Sequence, residues 1–196
     1  KELLENSIDA RATEITVSIE KSGTSLIRVT DDGEGIAPED LPLALERHAT
    51  SKLRNDEDLF RISTLGFRGE ALPSIASVSR FEITSRPAGY DSACRLRVDG
   101  ESKISAQMAA AATGTTIELK DLFYNVPARR KFLKSLPTEF SHICDIVNRL
   151  ALAYPKIHFR LEHNGKTLID FVADYLQAWN VPYLRVPNAE GTKAAI

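Results

Sequence analysis

Leu3, Leu4 and Ile8, with Ala12 beyond them, recur at helical spacing, and the period then changes, with Ile15, Val17 and Ile19 alternating against Thr16, Ser18 and Glu20. The chain therefore opens as a helix that gives way to a strand near Thr13. Ser22-Gly23 supplies a turn, and residues 26–30 read as a second strand running into Asp31-Asp32-Gly33-Glu34-Gly35. Pro38 stands near the start of a further helical pattern carrying Leu41 and Leu45. Periodicity fails between Lys52 and Gly69, a polar stretch punctuated by glycine. Its length exceeds an ordinary connection, which predicts a mobile functional lid. Helix resumes over residues 70–77.

Residues 81–84, 94–98 and 115–119 alternate as strands. Thr138 reads as the cap of a long helix with Glu139 in its first turn and Phe140, Ile143, Val147 and Leu150 on one face. Ile157, Phe159 and Leu161 alternate with His158, Arg160 and Glu162, and Asn164-Gly165 is a type I′ hairpin pair before a strand over 166–169. Helices and strands mix without a repeating βαβ period. Beyond about Val172 the pattern weakens, with Pro182 and Pro187 breaking it, so residues 173–196 form an unassigned tail, linker or start of a following domain.

Composition narrows the class. The 196 residues carry 25 Lys+Arg against 27 Asp+Glu, a net charge of −2, so no global electrostatic pull toward nucleic acid follows. Hydrophobic residues make up 43%, which rules out dominant disorder. A chain of this length reads as one domain that buries roughly two thirds of its unfolded surface. Cys94 and Cys144 form no C-x-x-C pair, which points to a reducing compartment, away from structural zinc, and to two small buried hydrophobes. The alanine-rich stretch at 108–113 falls far short of the roughly 20 residues that span a bilayer. The first residues show no methionine and no apolar signal region, and read as a fragment beginning inside a helix.

Four separated pieces carry candidate chemistry. Glu2 and Asn6, four apart, share a helix face, with Asp9 three further on. Alone, that spacing describes a solvated helix face. Asp31-x-Gly33-x-Gly35 ends a strand, and its glycines permit positive φ and close approach of another group. A carboxylate there can accept from an amino group and read an adenine edge, although an Asp-Gly turn has the same pattern. The acid spacing does not fit an EF-hand calcium loop. Thr50-Ser51-Lys52 is the third piece. Gly66-Phe67-Arg68-Gly69-Glu70 is the fourth, placed ahead of a helix where free N–H groups and a positive dipole end suit phosphates. Gly165-Lys166-Thr167 is no P-loop, because Arg160 stands where the leading glycine belongs.

Together these pieces resemble the ATPase superfamily shared by gyrase, the large heat-shock chaperone, histidine kinases and MutL. Glu2-x-x-x-Asn6 is similar to its first motif, Asp31-x-Gly33-x-Gly35 to its second, residues 66–70 to its third and Gly114-Thr115 to its fourth. Gly66-Phe67-Arg68-Gly69-Glu70-Ala71-Leu72, Arg47-His48-x-Thr50-Ser51-Lys52 and Leu122-Phe123-Tyr124-Asn125-x-Pro127-Ala128-Arg129 resemble the MutL mismatch-repair branch in particular. The resemblance runs from Lys1 to about Ile169, so the ATPase domain is expected over residues 1–172.

The resemblance implies an α+β fold, a two-layer sandwich in which helices cover one face of a mixed sheet, binding ATP with Mg²⁺ under a lid. Carried over by residue, Glu2 is the general base that activates water, and Asn6 gives a side-chain oxygen to Mg²⁺, which the triphosphate and water otherwise hold. Asp31 reads the adenine amino group with help from Thr115, in the loop of Gly33 and Gly35. Thr50, Ser51 and Lys52 close on the phosphates together with Gly66, Phe67, Arg68, Gly69 and Glu70, so the chemistry is positioning plus charge stabilisation. The family's segment ahead of the first motif and the lysine of its following domain are absent from this sequence.

At the level of the parent protein the resemblance implies an ATP-dependent homodimer, or a heterodimer in a eukaryotic member. Such a dimer couples a MutS-type mismatch-recognition protein to a downstream endonuclease and helicase, and it engages DNA through its groove. No membrane is involved, and the location is the bacterial cytoplasm at the nucleoid, or the nucleus of a eukaryote. Arg129, Arg130, Lys131 and Lys134 make a local basic cluster that reads as a solvated helix start or a packing signature in preference to direct phosphate contact. The rival readings are a gyrase-like subunit and a non-hydrolysing nucleotide-binding scaffold.

Overall fold

The computed structural model describes residues 1–46, 70–99 and 106–171, and the backbone alone of 102–105, 185–187 and 193–195. The elements run α1 (Glu2–Asp9), β1 (Glu14–Glu20), β2 (Leu26–Asp31), α2 (Ala71–Ala76), β3 (Arg80–Arg86), β4 (Ala93–Asp99), β5 (Ser102–Ala109) and β6 (Gly114–Lys120). They continue with α3 (Pro127–Arg130), α4 (Leu136–Ala153), β7 (His158–His163), β8 (Lys166–Phe171), β9 (Arg185–Pro187) and β10 (Lys193–Ala195).

Eight strands form one sheet in the order β5-β4-β3-β6-β2-β1-β7-β8. Only the β1–β7 pair within it is parallel, which makes the sheet mixed. Residues in register across a sheet share a face. One such row, Leu161-Val17-Val29-Ile117-Ile83-Leu96, is apolar from end to end. Leu3 and Leu4 of α1, Ala76 of α2 and Val147 and Ala151 of α4 join these side chains in one buried cluster. The helices thus cover this face.

The opposite face is polar. Arg160, Thr16, Thr30, Thr116, Thr84 and Arg95 make one row. In the next, Glu118 pairs with Arg28 at 2.8 Å and with Lys120 at 2.9 Å, while Glu82 pairs with Arg95 at 3.2 Å and with Arg97. The two-layer α+β architecture follows from this asymmetry between faces.

Turn chemistry behaves as the residues dictate. Asn164 and Gly165 have φ of 50° and 76°, as a type I′ turn requires, so β7 and β8 close as a hairpin and no phosphate loop exists there. Cys94 is buried, Cys144 is half-buried, and both are free thiols. Arg129, Arg130, Lys131 and Lys134 are exposed, as a solvated helix start would be. Among the described residues no helix is long and apolar enough to cross a membrane.

Three expectations need correction. The helix expected after Pro38 is a series of turns with one 3-10 turn at Leu43–Leu45. Leu41 and Leu45 are buried at helical spacing, but Pro42 between them has no N–H to extend a ladder. The long helix α4 is capped by Ser135 rather than Thr138. The Ser135 Oγ accepts from the Thr138 N–H at 3.4 Å, and Pro137 occupies the first turn, where a missing N–H costs nothing. Strand β5 has no counterpart in the pattern reading. It pairs with β4 alone, and an edge strand is under little demand to alternate. The expected lid lies outside the described residues. In the tail, β9 and β10 pair antiparallel with Pro187 opposite Lys193.

Candidate functional site

The row next to the apolar one reads Phe159-Ile15-Asp31-Thr115-Ser85-Cys94. It lies on the same helix-covered face, yet its three central members are polar. Asp31, Thr115 and Ser85 are only 9%, 8% and 0% exposed. Buried polar groups persist when they are hydrogen-bonded, and these three are bonded to one another's strands and to the surrounding loops.

Asp31 is the last residue of β2 and the charged centre of the cluster. Its Oδ2 accepts from the Ser7 hydroxyl of α1 at 2.7 Å, and its Oδ1 accepts from the Gly33 N–H at 3.0 Å and the Thr115 N–H at 3.2 Å. Burial pushes the Asp31 carboxyl up from its ordinary value, and these three hydrogen bonds counter that only in part. The neighbouring Asp32 charge adds to the rise.

Asp32 turns to a different task. Its Oδ1 accepts from the N–H groups of Thr13 and Glu14 at 2.7 and 2.8 Å, and its Oδ2 accepts from the Thr13 hydroxyl. Partial burial works to raise this carboxyl, but the Thr13 and Glu14 donors outweigh it and hold it below the usual range. Asp32 thereby ties the α1–β1 connection to the end of β2.

The glycines expected to admit a ligand admit the chain's own backbone. A Cβ at Gly33 would lie 2.6 Å from the Ala10 carbonyl oxygen at the end of α1. One at Gly35, where φ is +74°, would lie 2.5 Å from the Arg86 carbonyl oxygen. One at Gly114, where φ is +117°, would lie 2.0 Å from the Asp31 carbonyl oxygen. These three positions let the loop after β2, helix α1 and strands β3 and β6 converge on Asp31.

Ser85 supports the far side of the cluster. Its Oγ accepts from the Ile36 N–H at 2.8 Å, donates to the Gly114 carbonyl at 3.1 Å and lies 2.8 Å from the Thr115 Oγ1. One hydroxyl thus joins β3, β6 and the glycine loop.

The structure brings together Asp31, Gly33, Gly35 and Thr115, and Ser7 fastens the helix of Glu2 and Asn6 to them. The Glu2 side chain is 52% exposed and lies 3.8 Å from the Lys1 ammonium, while Asn6 is half-buried. Glu70 is exposed immediately before α2. Thr50, Ser51, Lys52, Gly66, Phe67, Arg68 and Gly69 lie outside the described residues. Pattern reading missed Ser7 and Ser85. Ser7 had a signal, since it falls on the stripe of Leu3 and Leu4, where a hydroxyl needs a partner. Ser85 had none.

The donor chemistry fits Mg²⁺ that arrives with phosphate. Among the described residues no group of three or more His, Cys, Asp or Glu could hold a metal by itself. An amide oxygen such as that of Asn6 suits a hard cation that keeps most of its ligands from triphosphate and water.

Comparison with known proteins agrees with this geometry. A family model described as the histidine kinase-, DNA gyrase B- and HSP90-like ATPase matches residues 1–126. The MutL mismatch-repair protein of Pseudomonas fluorescens is 54% identical over 170 residues, which cover 86% of this chain and 27% of that protein. The MutL of Actinobacillus pleuropneumoniae is 56% identical over 169 residues, again covering 86% and 27%. Among solved structures, the Aquifex aeolicus MutL ATPase domain complexed with ADP superimposes with a TM-score of 0.74 at 30% identity, over 93% of this chain and 67% of that one. This chain belongs to the histidine kinase-, DNA gyrase B- and HSP90-like ATPase family, within its MutL branch. A gyrase-like subunit is not favoured. The chain spans about a quarter of the length of the curated relatives it matches.

Proposed function

We propose that this chain is the nucleotide switch of a MutL-type mismatch-repair protein, binding ATP with Mg²⁺ and hydrolysing it slowly to ADP and phosphate. The Asp31 carboxylate carries the reading. Three donors occupy three of its about four lone-pair positions, which leaves room on Oδ2 for one more donor, such as the adenine amino group. The Aquifex aeolicus domain with ADP supports nucleotide binding by this fold.

In this reading Glu2, about half exposed and so open to water, accepts the proton of the attacking water. The Asn6 amide oxygen would help to hold Mg²⁺. Thr115 stands beside Asp31 at the base, and the loop of Gly33 and Gly35 shapes the approach. Residues 50–52 and 66–70 supply phosphate contacts, as the family resemblance implies. Mg²⁺ supplies charge neutralisation on the phosphates.

At the level of the whole protein, ATP binding promotes dimerisation and hydrolysis reverses it. The cycle couples a MutS-type recognition protein to an endonuclease and a helicase on DNA in the bacterial cytoplasm. In this reading the ATPase domain is residues 1–172, and 173–196 are an unassigned tail, linker or start of a following domain.

Asp31→Ala tests the reading. The loss of a hydrogen bond to a charged acceptor should weaken ATP binding by about one to two decades in a calorimetric titration. An unchanged affinity, in a variant with parental circular dichroism, overturns the adenine assignment.

A further inference from the structure

The hydrogen-bond arithmetic around Ser85 has one solution. A serine hydroxyl has one proton to donate and two lone pairs to accept with. The Ile36 N–H can only donate, so it takes one lone pair, at 2.8 Å. The Gly114 carbonyl can only accept, so it takes the proton, at 3.1 Å. The contact to Thr115 Oγ1 at 2.8 Å is then satisfied only if Thr115 donates into the second lone pair. Thr115 has spent its proton on Ser85, and its own oxygen is left with lone pairs and no hydrogen to offer.

From this we propose that Ser85 is a specificity-positioning residue: it fixes the direction of the Thr115 hydroxyl and makes Thr115 an acceptor beside the acceptor Asp31. The inference rests on the nucleotide reading above. Asp31 and Thr115 are directly opposed in register on β2 and β6, and Ser85 is directly opposed to Thr115 on β3. All three side chains therefore share one face of the sheet. Two adjacent acceptors favour a purine that presents an amino group at position 6. They disfavour one with a carbonyl there, because two oxygens would face an oxygen with no proton between them. Ser85 touches no nucleotide in this scheme. It acts through Thr115, and it is itself fully buried.

The test is the ratio of ITP to ATP dissociation constants, measured by equilibrium binding on the full-length chain with Mg²⁺. ITP differs from ATP by a carbonyl in place of the 6-amino group. Ser85→Ala frees the Thr115 hydroxyl to turn and donate to that carbonyl, so the ratio should narrow by about tenfold, one hydrogen bond's discrimination. A loosened Ile36 loop would weaken both nucleotides alike and leave the ratio in place. Ser85→Cys, close in volume and a poor hydrogen-bonding group, should narrow the ratio in the same direction and serves if the alanine variant fails to fold. In a Thr115→Val background, Ser85→Ala should change the ratio no further, because the residue through which it acts has no hydroxyl. A parental ratio in both Ser85 variants, or continued narrowing in the Thr115→Val background, overturns the inference. Asp31→Asn separates the levels. If it collapses the ratio while the Ser85 variants do not, Ser85 alone is wrong. If Asp31→Asn keeps the parental ratio, the adenine reading fails and the Ser85 inference falls with it.

Discussion

The Ser7 hydroxyl donates to Asp31 Oδ2 across 2.7 Å, joining the middle of helix α1 to the last residue of strand β2. The Leu3 carbonyl oxygen lies 3.2 Å from the same Ser7 Oγ, so the single hydroxyl proton is shared between it and the closer carboxylate. Asn6 is its immediate neighbour in sequence, and Glu2 lies just over one turn earlier. Asp31, the proposed adenine contact, and Asn6 and Glu2, the proposed metal and water contacts, are therefore linked through one hydrogen bond, and a shift of α1 relative to β2 would disturb all three.

Asp31 is expected to trade stability for binding. Burial raises its native carboxyl, so the native state holds the proton to higher pH than the unfolded chain does. Stability is then lost as pH rises from the unfolded value of about 3.9 through the raised native one, and the loss persists above it. Asp31→Asn removes the ionisation, so at neutral pH without nucleotide the variant should melt higher than the parent, with the gap closing as pH falls below the unfolded value. Thermal melts from pH 3 to 8 check this. A variant that melts lower at pH 7 contradicts the burial argument.

Asp32 should show the opposite sign. Its native carboxyl is lowered, so its stabilisation is present above the unfolded value of about 3.9 and disappears as pH falls through the lowered native value. Asp32→Ala hands the exposed Thr13 and Glu14 N–H groups to water and should cost about 0.5–1.5 kcal/mol at neutral pH. Urea denaturation should find that cost shrinking in acid, where the parental carboxylate also loses its charge.

Glycine substitutions separate backbone strain from close packing. Gly89 and Gly114 have φ of +85° and +117°, but a Cβ at Gly89 meets nothing within 4 Å, whereas one at Gly114 would lie 2.0 Å from the Asp31 carbonyl oxygen. Gly89→Ala should cost about 1–2 kcal/mol, the left-handed penalty alone. Gly114→Ala should cost more than about 3 kcal/mol and lower nucleotide affinity, because Asp31 must move. Denaturant midpoints together with ATP titration give both numbers. Equal costs would show that the close approach to Asp31 is unimportant.

Glu2 and Asn6 should fail in different ways in the full-length chain. Glu2→Ala removes the proposed base while metal and phosphate contacts stay, so binding should persist as turnover drops by about 10²-fold or more. Asn6→Ala removes the proposed metal ligand, and binding and turnover should fall together. Single-turnover hydrolysis alongside equilibrium binding distinguishes them. Parental hydrolysis by Glu2→Ala rules out its role as base.

The sequence by itself determined the elements whose signal is local. Alternation at Ile15, Val17 and Ile19 sets strand β1, Asn164-Gly165 closes the last hairpin of the main sheet, and the spacing of Glu2 and Asn6 places both on one helix. Each depends on residues within a few positions of one another, so periodicity and turn chemistry suffice. Asp31, Gly33, Gly35 and Thr115 were legible as candidates because their motifs are short and contiguous, and the structure clusters them. Local pattern failed where a single residue overrode it, as Pro42 interrupts the turn between Leu41 and Leu45, and where an edge strand such as β5 carried little patterning.

Only the tertiary structure decided what surrounds Asp31. Ser7 lies 24 residues before it, and Ser85 reaches its row only through Thr115, which stands 84 residues after Asp31. A hydrogen bond has a reach of about 3 Å and no signature in sequence spacing, so its partners appear only once strand order and register are set. The same holds for Gly33, Gly35 and Gly114: the sequence showed that they could approach something closely, and the packing of α1, β2, β3 and β6 made that something the backbone of the site itself.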